Sequence, residues 1–205
     1  MGKLVKYSVL TIIVLMALYG SVTISPLDEI KQRQNDTDFN AKAYAEDFMN
    51  SKIQGLRAIN ATDFLQNISN DISGYCEKNG KRLGISDAYN FIVEGKGTVS
   101  SIEEEYVVLT LENGSGMYIA TDFIFGNAIR DGSAMANIGD YQNTMDFNTI
   151  SIELNTIVRE TIVAPFKSRV KENDTISFKG AVTVAITDPR LNSLKVIPLS
   201  INFND

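Results

Sequence analysis

The chain has 205 residues, no histidine and a single cysteine, Cys76. These counts exclude a Ser-His-Asp triad, an internal disulfide and a cysteine/histidine zinc cage. The formal charge is −6, and beyond residue 25 seventeen basic residues face twenty-five acidic ones, a field that repels nucleic acid in the absence of a strong basic patch.

The densest basic clusters, Lys81-Arg82 and Lys167/Arg169/Lys171, are short. About 180 residues follow the first 25, enough to bury roughly 70% of the unfolded surface without a disulfide or metal staple.

Lys3 and Lys6 are the only charges before Asp28. The run 7–24 is apolar and, as a helix, about 27 Å long, the thickness of a bilayer core. Residues 1–25 are therefore expected to be an inner-membrane anchor with the two lysines in the cytoplasm and the rest of the chain outside. A cleaved signal peptide is the alternative, with its apolar stretch over about 9–18 and the cut near Gly20 or Ser21. Leu18-Tyr19-Gly20-Ser21 has the form of a lipoprotein cleavage box with serine where cysteine belongs. Without that thiol no lipid is attached there.

Residues 26–37 are polar and read as a stalk. Residues 38–80 read as a helical pair. The first helix is capped among residues 36–38, with Phe39, Ala43 and Phe48 near one face. The second runs from Thr62 or Asp63 to Cys76, with Leu65, Ile68, Ile72 and Tyr75 at helical spacing. Cys76 is expected to be a partly buried apolar residue.

From residue 81 the period changes to two. EGKGTVSSIEEEYVVLTLENGSGMYIATDF reads as three strands. Val107, Leu109 and Leu111 share one face, and Asn113-Gly114 supplies a two-residue hairpin turn. Ile119, Thr121, Phe123 and Phe125 carry the third strand. Glu103, Glu104 and Glu105 form a solvated turn. FIFGNAIRDGSAMANIGDY then connects to a helix capped by Asn148 or Thr149, with Ile150, Leu154, Ile157, Val158 and Ile162 on its buried face and Pro165 at its end. Two further strands close the chain. Pro198 marks the last as an edge or a bulge.

This element order gives an α+β, mainly β class: an OB-like five-stranded Greek-key barrel over 81–205, preceded by the helical pair. An open sheet with the helix on one face has the same element order.

The ordered set FNAKAYAEDF, NATDFLQNI, AYNFIVEGKGTV, GNAIRDG, DYQNTMDFN and ISFKGAVTV resembles a bacterial family of predicted periplasmic lipoproteins, the domain of unknown function twenty-two ninety-one (DUF2291). The resemblance spans about residues 36–205. It implies an envelope protein, and, because some members are encoded near sugar-type ABC transporter genes, an accessory role in sugar uptake. Ser21 departs from the lipoprotein label.

No G-x-S-x-G, P-loop or H-E-x-x-H motif occurs. The expectation is a non-catalytic binding or accessory module with no cofactor and no metal. Its partners are the membrane through residues 7–24 and a carbohydrate or transporter protein, not nucleic acid. The alternatives are a glycan-acting enzyme using carboxylates such as Asp131, Asp140 and Asp146, and a scaffold for a membrane partner. In the connector, Gly126, Gly132 and Gly139 read as turn residues. Arg130 is expected to be buried against an acidic side chain, pinning the connector. Asn127, Arg130, Asp131 and Tyr141 are the candidate ligand contacts. Tyr106, Tyr118, Tyr141 and Phe147 either stack on a sugar or pack as core and rim.

Overall fold

The computed structural model describes residues 39–141 and 143–204, together with positions 2, 7, 10–12 and 16. The anchor and signal-peptide readings over 1–25 fall largely outside these residues, and the stalk over 26–37 falls wholly outside them. Among the described residues no helix is long and apolar enough to cross a membrane. Asn40–Asp205 forms one compact unit.

Three short helices come first. Helix α1, Ala41–Asp47, is capped by Asn40, whose side chain accepts from the Ala43 amide at 2.9 Å. It continues as a π-helical turn, Phe48–Lys52. Its buried face is Ala41, Ala45 and Phe48, and Ala43 is exposed. The true cap thus lies two residues past Asp38, and the face turns with it. The two-residue strand β1, Ile59–Asn60, leads into helix α2, Ala61–Asn70, capped by Asn60.

The helix expected to run on to Cys76 is broken at Asp71. This residue adopts an extended conformation and caps a separate helix α3, Ile72–Asn79, by accepting from the Gly74 amide at 2.9 Å. A short carboxylate that can bond nearby amides favours a fresh N-cap over an uninterrupted helix. Cys76 is completely buried, and burial pushes its thiol pKa up.

Five strands form the barrel: β2 (Ala88–Ile102), β3 (Tyr106–Leu111), β4 (Gly116–Ala120), β5 (Thr175–Ala185) and β6 (Lys195–Phe203). Strand β2 pairs antiparallel with β3 and, from Ala88↔Ala185 to Thr98↔Thr175, with β5. Strands β3 and β4 pair antiparallel, β4 and β6 parallel, and β6 and β5 antiparallel, so the sheet closes. This is the OB-type order, and β2 closes it because its length serves two neighbours. Strand β1 adds in parallel at Val93 and Glu94.

Val107, Leu109 and Leu111 point into the barrel. The β3–β4 turn differs from the expected two-residue form. It spans Glu112 to Ser115, and Gly114 alone takes positive φ there, at 83°. Pro198 sits at a bulge: Lys179 pairs with Ser200 but Gly180 pairs with Pro198. A Cβ on Gly180 would lie 2.4 Å from Val196 Cγ1 and 2.5 Å from the Ile197 carbonyl, so only glycine fits opposite the bulge.

Strand β4 stops at Ala120, well short of Phe125. The Thr121 and Asp122 amides both donate to the Glu105 carbonyl, and Phe123 then takes a left-handed φ of 51°. That conformation ends the strand, and the Phe123 ring is 64% exposed. Positive φ in a bulky residue costs about 1–2 kcal/mol, and an exposed ring recovers little of this through burial. Phe123→Gly is therefore expected to raise stability by about 0.5–1 kcal/mol after the glycine's greater unfolded-state entropy. A denaturant midpoint unchanged or lowered in that variant would refute the strain.

Helix α4, Ala128–Ser133, lies within the connector. Helix α5, Thr144–Ile157, starts before the expected Asn148 or Thr149 cap. Asn143 is its true cap: its Oδ1 accepts from the Asp146 amide at 2.8 Å and its Nδ2 donates to the Asp146 carboxylate at 2.9 Å. Ile150, Leu154 and Val158 are buried as expected. A π-helical turn, Val158–Val163, then adds one residue to the period, so Val163 takes the buried position expected of Ile162. Helix α6, Ala164–Arg169, carries Pro165 in its first turn.

Phe64 and Ile68 of α2, Cys76 of α3 and Phe166 of α6 share one core with the barrel residues Val93, Leu109, Ile119, Ile176, Val182 and Val196. Helices α2 and α3 thus share the hydrophobic core of the barrel, while the buried face of α1 lies outside that cluster.

Candidate functional site

The connector between β4 and α5 is tied to α5 by three long polar side chains. Arg159 Nη1 donates to the Ile124 carbonyl at 2.7 Å, and Asn155 Nδ2 donates to the Gly126 carbonyl at 2.8 Å. The third is Arg130, which is completely buried. Its Nε donates to Asp131 Oδ1 at 2.8 Å, and its Nη1 donates to the Phe147 carbonyl at 3.0 Å and to Asn148 Oδ1 at 3.2 Å. The guanidinium lies 3.6 Å from the centre of the Phe147 ring. A planar fork that stacks and donates at once suits arginine and not lysine. Nη2 has no hydrogen-bond partner among the described residues.

Asp131 stands at the junction of two clefts. The larger, about 820 Å³, is lined among others by Glu77, Lys81, Arg82, Asp131, Asn137 and Phe147. The smaller, about 490 Å³, includes Asn90, Phe125, Asn127, Asp131 and Thr183 in its lining. Arg130 fixes one carboxylate oxygen of Asp131, whose side chain remains 11% exposed. Charged groups of both signs face the larger cleft. Arg82 reaches back over the Tyr89 ring, 5.0 Å from its centre. Asn90 Oδ1 accepts from the Thr183 hydroxyl at 2.7 Å on the floor of the smaller cleft.

The four candidate ligand contacts separate by position. Asn127 and Asp131 line clefts, while Arg130 supports Asp131 from behind. Tyr141 is half-buried, its ring 5.6 Å from that of Phe147, and is not among the residues lining either cleft. Glu77, Asn90, Asn137 and Thr183 were not singled out in the sequence. Asn90 and Thr183 meet through the β2–β5 pairing, Glu77 comes from α3, and Asn137 lies further along the connector from Asp131. The doublet Lys81-Arg82 stood out by charge alone.

Burial, and then a hydrogen bond with Tyr44, pushes the Tyr141 phenol from about 10 in the unfolded chain up to about 12. The fold thus favours the neutral phenol. Its contribution to stability is complete below pH 10 and is lost as pH rises through about 12. The denaturant midpoint should fall across that window, and fall less in Tyr141→Phe. Identical slopes in the two proteins would refute this assignment.

Two of the three carboxylates proposed for a glycan-acting enzyme have other structural duties. Asp131 is paired with Arg130, and Asp146 closes the α5 cap, while Asp140 is exposed. Among the described residues no group of three His, Cys, Asp or Glu side chains is placed to hold a metal ion. Elsewhere, the outer barrel face carries Tyr106 and Tyr118 edge to face, with ring centres 5.2 Å apart. Lys195 lies 5.1 Å from the Tyr106 ring centre and 2.7 Å from the Glu105 carboxylate.

A family model described as predicted periplasmic lipoprotein (DUF2291) matches residues 12–202. The crystal structure of an OB-fold protein from Thermotoga maritima aligns with a TM-score of 0.72, covering 82% of this chain and 100% of the other at 22% sequence identity. Likeness at that identity bears on the fold alone. No curated protein matches the chain.

Proposed function

The chain belongs to the DUF2291 family of predicted periplasmic lipoproteins, and on that footing we propose that it is a non-catalytic binding module of the cell envelope, accessory to sugar uptake by an ABC-type transporter. An N-terminal helix over residues 7–24 would hold it to the inner membrane. The observation that carries the binding reading is the Asp131 carboxylate, locked by a buried arginine at the junction of two clefts. A carboxylate with one oxygen fixed presents the other to ligand hydroxyl groups at no orientational cost, which is how polar sites recognise polyols. Asn127 and Asn137 add amide donors and acceptors at the rim. The larger cleft falls in the range of small-molecule sites.

Binding is favoured over hydrolysis by the hydrogen bonds that Asp131 and Asp146 accept. A glycosidase pair needs two carboxyls free to flank the scissile bond, whereas the Asp131 carboxylate is held by Arg130 and the Asp146 carboxylate accepts from Asn143 Nδ2 in the α5 cap.

Calorimetric titration of the full chain in detergent with a panel of mono- and oligosaccharides tests the reading. Saturable heat with at least one sugar, lost or weakened at least tenfold in Asp131→Ala, is expected. No heat with any sugar, or equal affinity in Asp131→Ala, would remove it.

A further inference from the structure

We propose that loop 122–126 is a docking element, with Phe123 and Phe125 as paired anchors for a protein partner that presents an apolar groove edged by basic residues. The two rings are 64% and 70% exposed, while Ile124 between them is buried. The backbone carrying them is held firmly. Asp122 Oδ1 accepts from the Phe123 amide at 2.8 Å, and Arg159 and Asn155 of the helical segment clamp the carbonyls of Ile124 and Gly126. Those clamps tie the loop to α5 and the π-helical turn after it, and Ile152, one turn before Asn155, is itself 60% exposed.

Three features point to recognition. The left-handed Phe123 is strained, and its exposed ring contributes little burial within this chain. Strain retained at a residue whose side chain faces solvent is the pattern of a functional site. Rigid aromatic anchors carry most binding energy at interfaces, because little conformational entropy is lost on docking. The third feature is charge. Asp122, Glu103 and Glu104 are exposed at the loop and its adjoining turn, and exposed Glu160 follows the clamping Arg159, against Arg159 and Lys167. The turn 103–105 is adjacent because the Asp122 amide donates to Glu105. This acidic frame repels an anionic bilayer and a second copy of itself, and attracts a basic rim.

Phe125 borders the smaller cleft, whereas Phe123 lines neither of the clefts that meet at Asp131. The test uses the full chain in nanodiscs and a fluorescent amphipathic helical peptide of leucine and lysine as the stand-in partner, with a leucine–glutamate counterpart as control. Anisotropy should report salt-dependent binding of the lysine peptide and none of the glutamate peptide. Affinity should fall at least tenfold in Phe123→Gly and in Phe125→Ser, and severalfold in Asp122→Asn combined with Glu160→Gln. Because Phe123→Gly is expected to stabilise the fold, its loss of binding is not a loss of structure. Ile85→Ser, at another exposed apolar position, should bind as the parent does. Undiminished affinity in both phenylalanine variants overturns the proposal. So does insertion of the loop into phosphatidylglycerol vesicles at the expense of peptide binding, or self-association abolished by Phe125→Ser.

Discussion

Arg130→Met is expected to destabilise the protein by about 3–5 kcal/mol, the range for removing one partner of a buried ion pair. The side chain is fully buried, and its loss strands the Asp131 carboxylate at 11% exposure without its cation. The carbonyl of Phe147 and the side-chain Oδ1 of Asn148 lose their donor, and the Phe147 ring loses the guanidinium 3.6 Å from its centre. For a domain of this size the melting midpoint should fall by about 10 °C. Lysine should not rescue it, because an ammonium cannot stack and fork together. Removing both charges, in Arg130→Met with Asp131→Leu, should recover much of the loss, since the stranded carboxylate is then gone. A midpoint unchanged in Arg130→Met, or restored by lysine, would show that the pair does not pin the connector.

Phe64→Ala should cost a similar amount, about 3–5 kcal/mol. Phe64 is fully buried on α2, with its ring centre 5.0 Å from Phe91 of β2 and 6.0 Å from Tyr75 of α3. It couples the N-terminal helices to the strand that closes the barrel. The physical consequence is one cooperative transition in which helix and barrel signals fall together. Were residues 38–80 a separately folding pair, Phe64→Ala would melt the helices early and leave the barrel midpoint in place. Two separated transitions, read by far-ultraviolet circular dichroism and barrel tyrosine fluorescence, would contradict the shared core.

What was legible in the sequence follows the strength of local signals. Alternation at Val107, Leu109 and Leu111 and at Ile176, Phe178 and Val182 is long-lived, because a closed barrel buries one face of every strand. The OB-like element order was legible from the strand count and the helix between the third and fourth strands, though closure was not, and Pro198, which lacks an amide hydrogen, marked an edge or a bulge. Boundaries were less legible where several residues compete for one role. Asn143 and Asn148 both suit a cap, and only the reciprocal bond with Asp146 decides between them. The π-helical turn at Val158–Val163 has no compositional mark, so the face drifted by one residue. Phe123 and Phe125 look like strand residues by alternation, yet the left-handed backbone at Phe123 ends the strand.

At the candidate site, Arg130 and Asp131 stood out as charges in a glycine-rich connector. Their neighbours did not. Asn90 and Thr183 read as ordinary strand residues, and their approach to Asn127 depends on the β2–β5 pairing, a contact 93 residues apart in the chain. No local pattern encodes so distant a meeting. The smaller cleft is therefore a product of barrel closure, while the larger is built by the end of α3 and the connector, which serves both as a joint and as the wall that carries Asp131.

The most direct test of the binding account is residue-resolved chemical-shift mapping of the protein during titration with the saccharide that gives calorimetric heat. Shifts should concentrate at Arg82, Asn127, Asp131 and Asn137, around the two clefts that meet at Asp131. Shifts confined to Tyr106, Tyr118 and Lys195 on the outer barrel face, or none at saturating sugar, would contradict it.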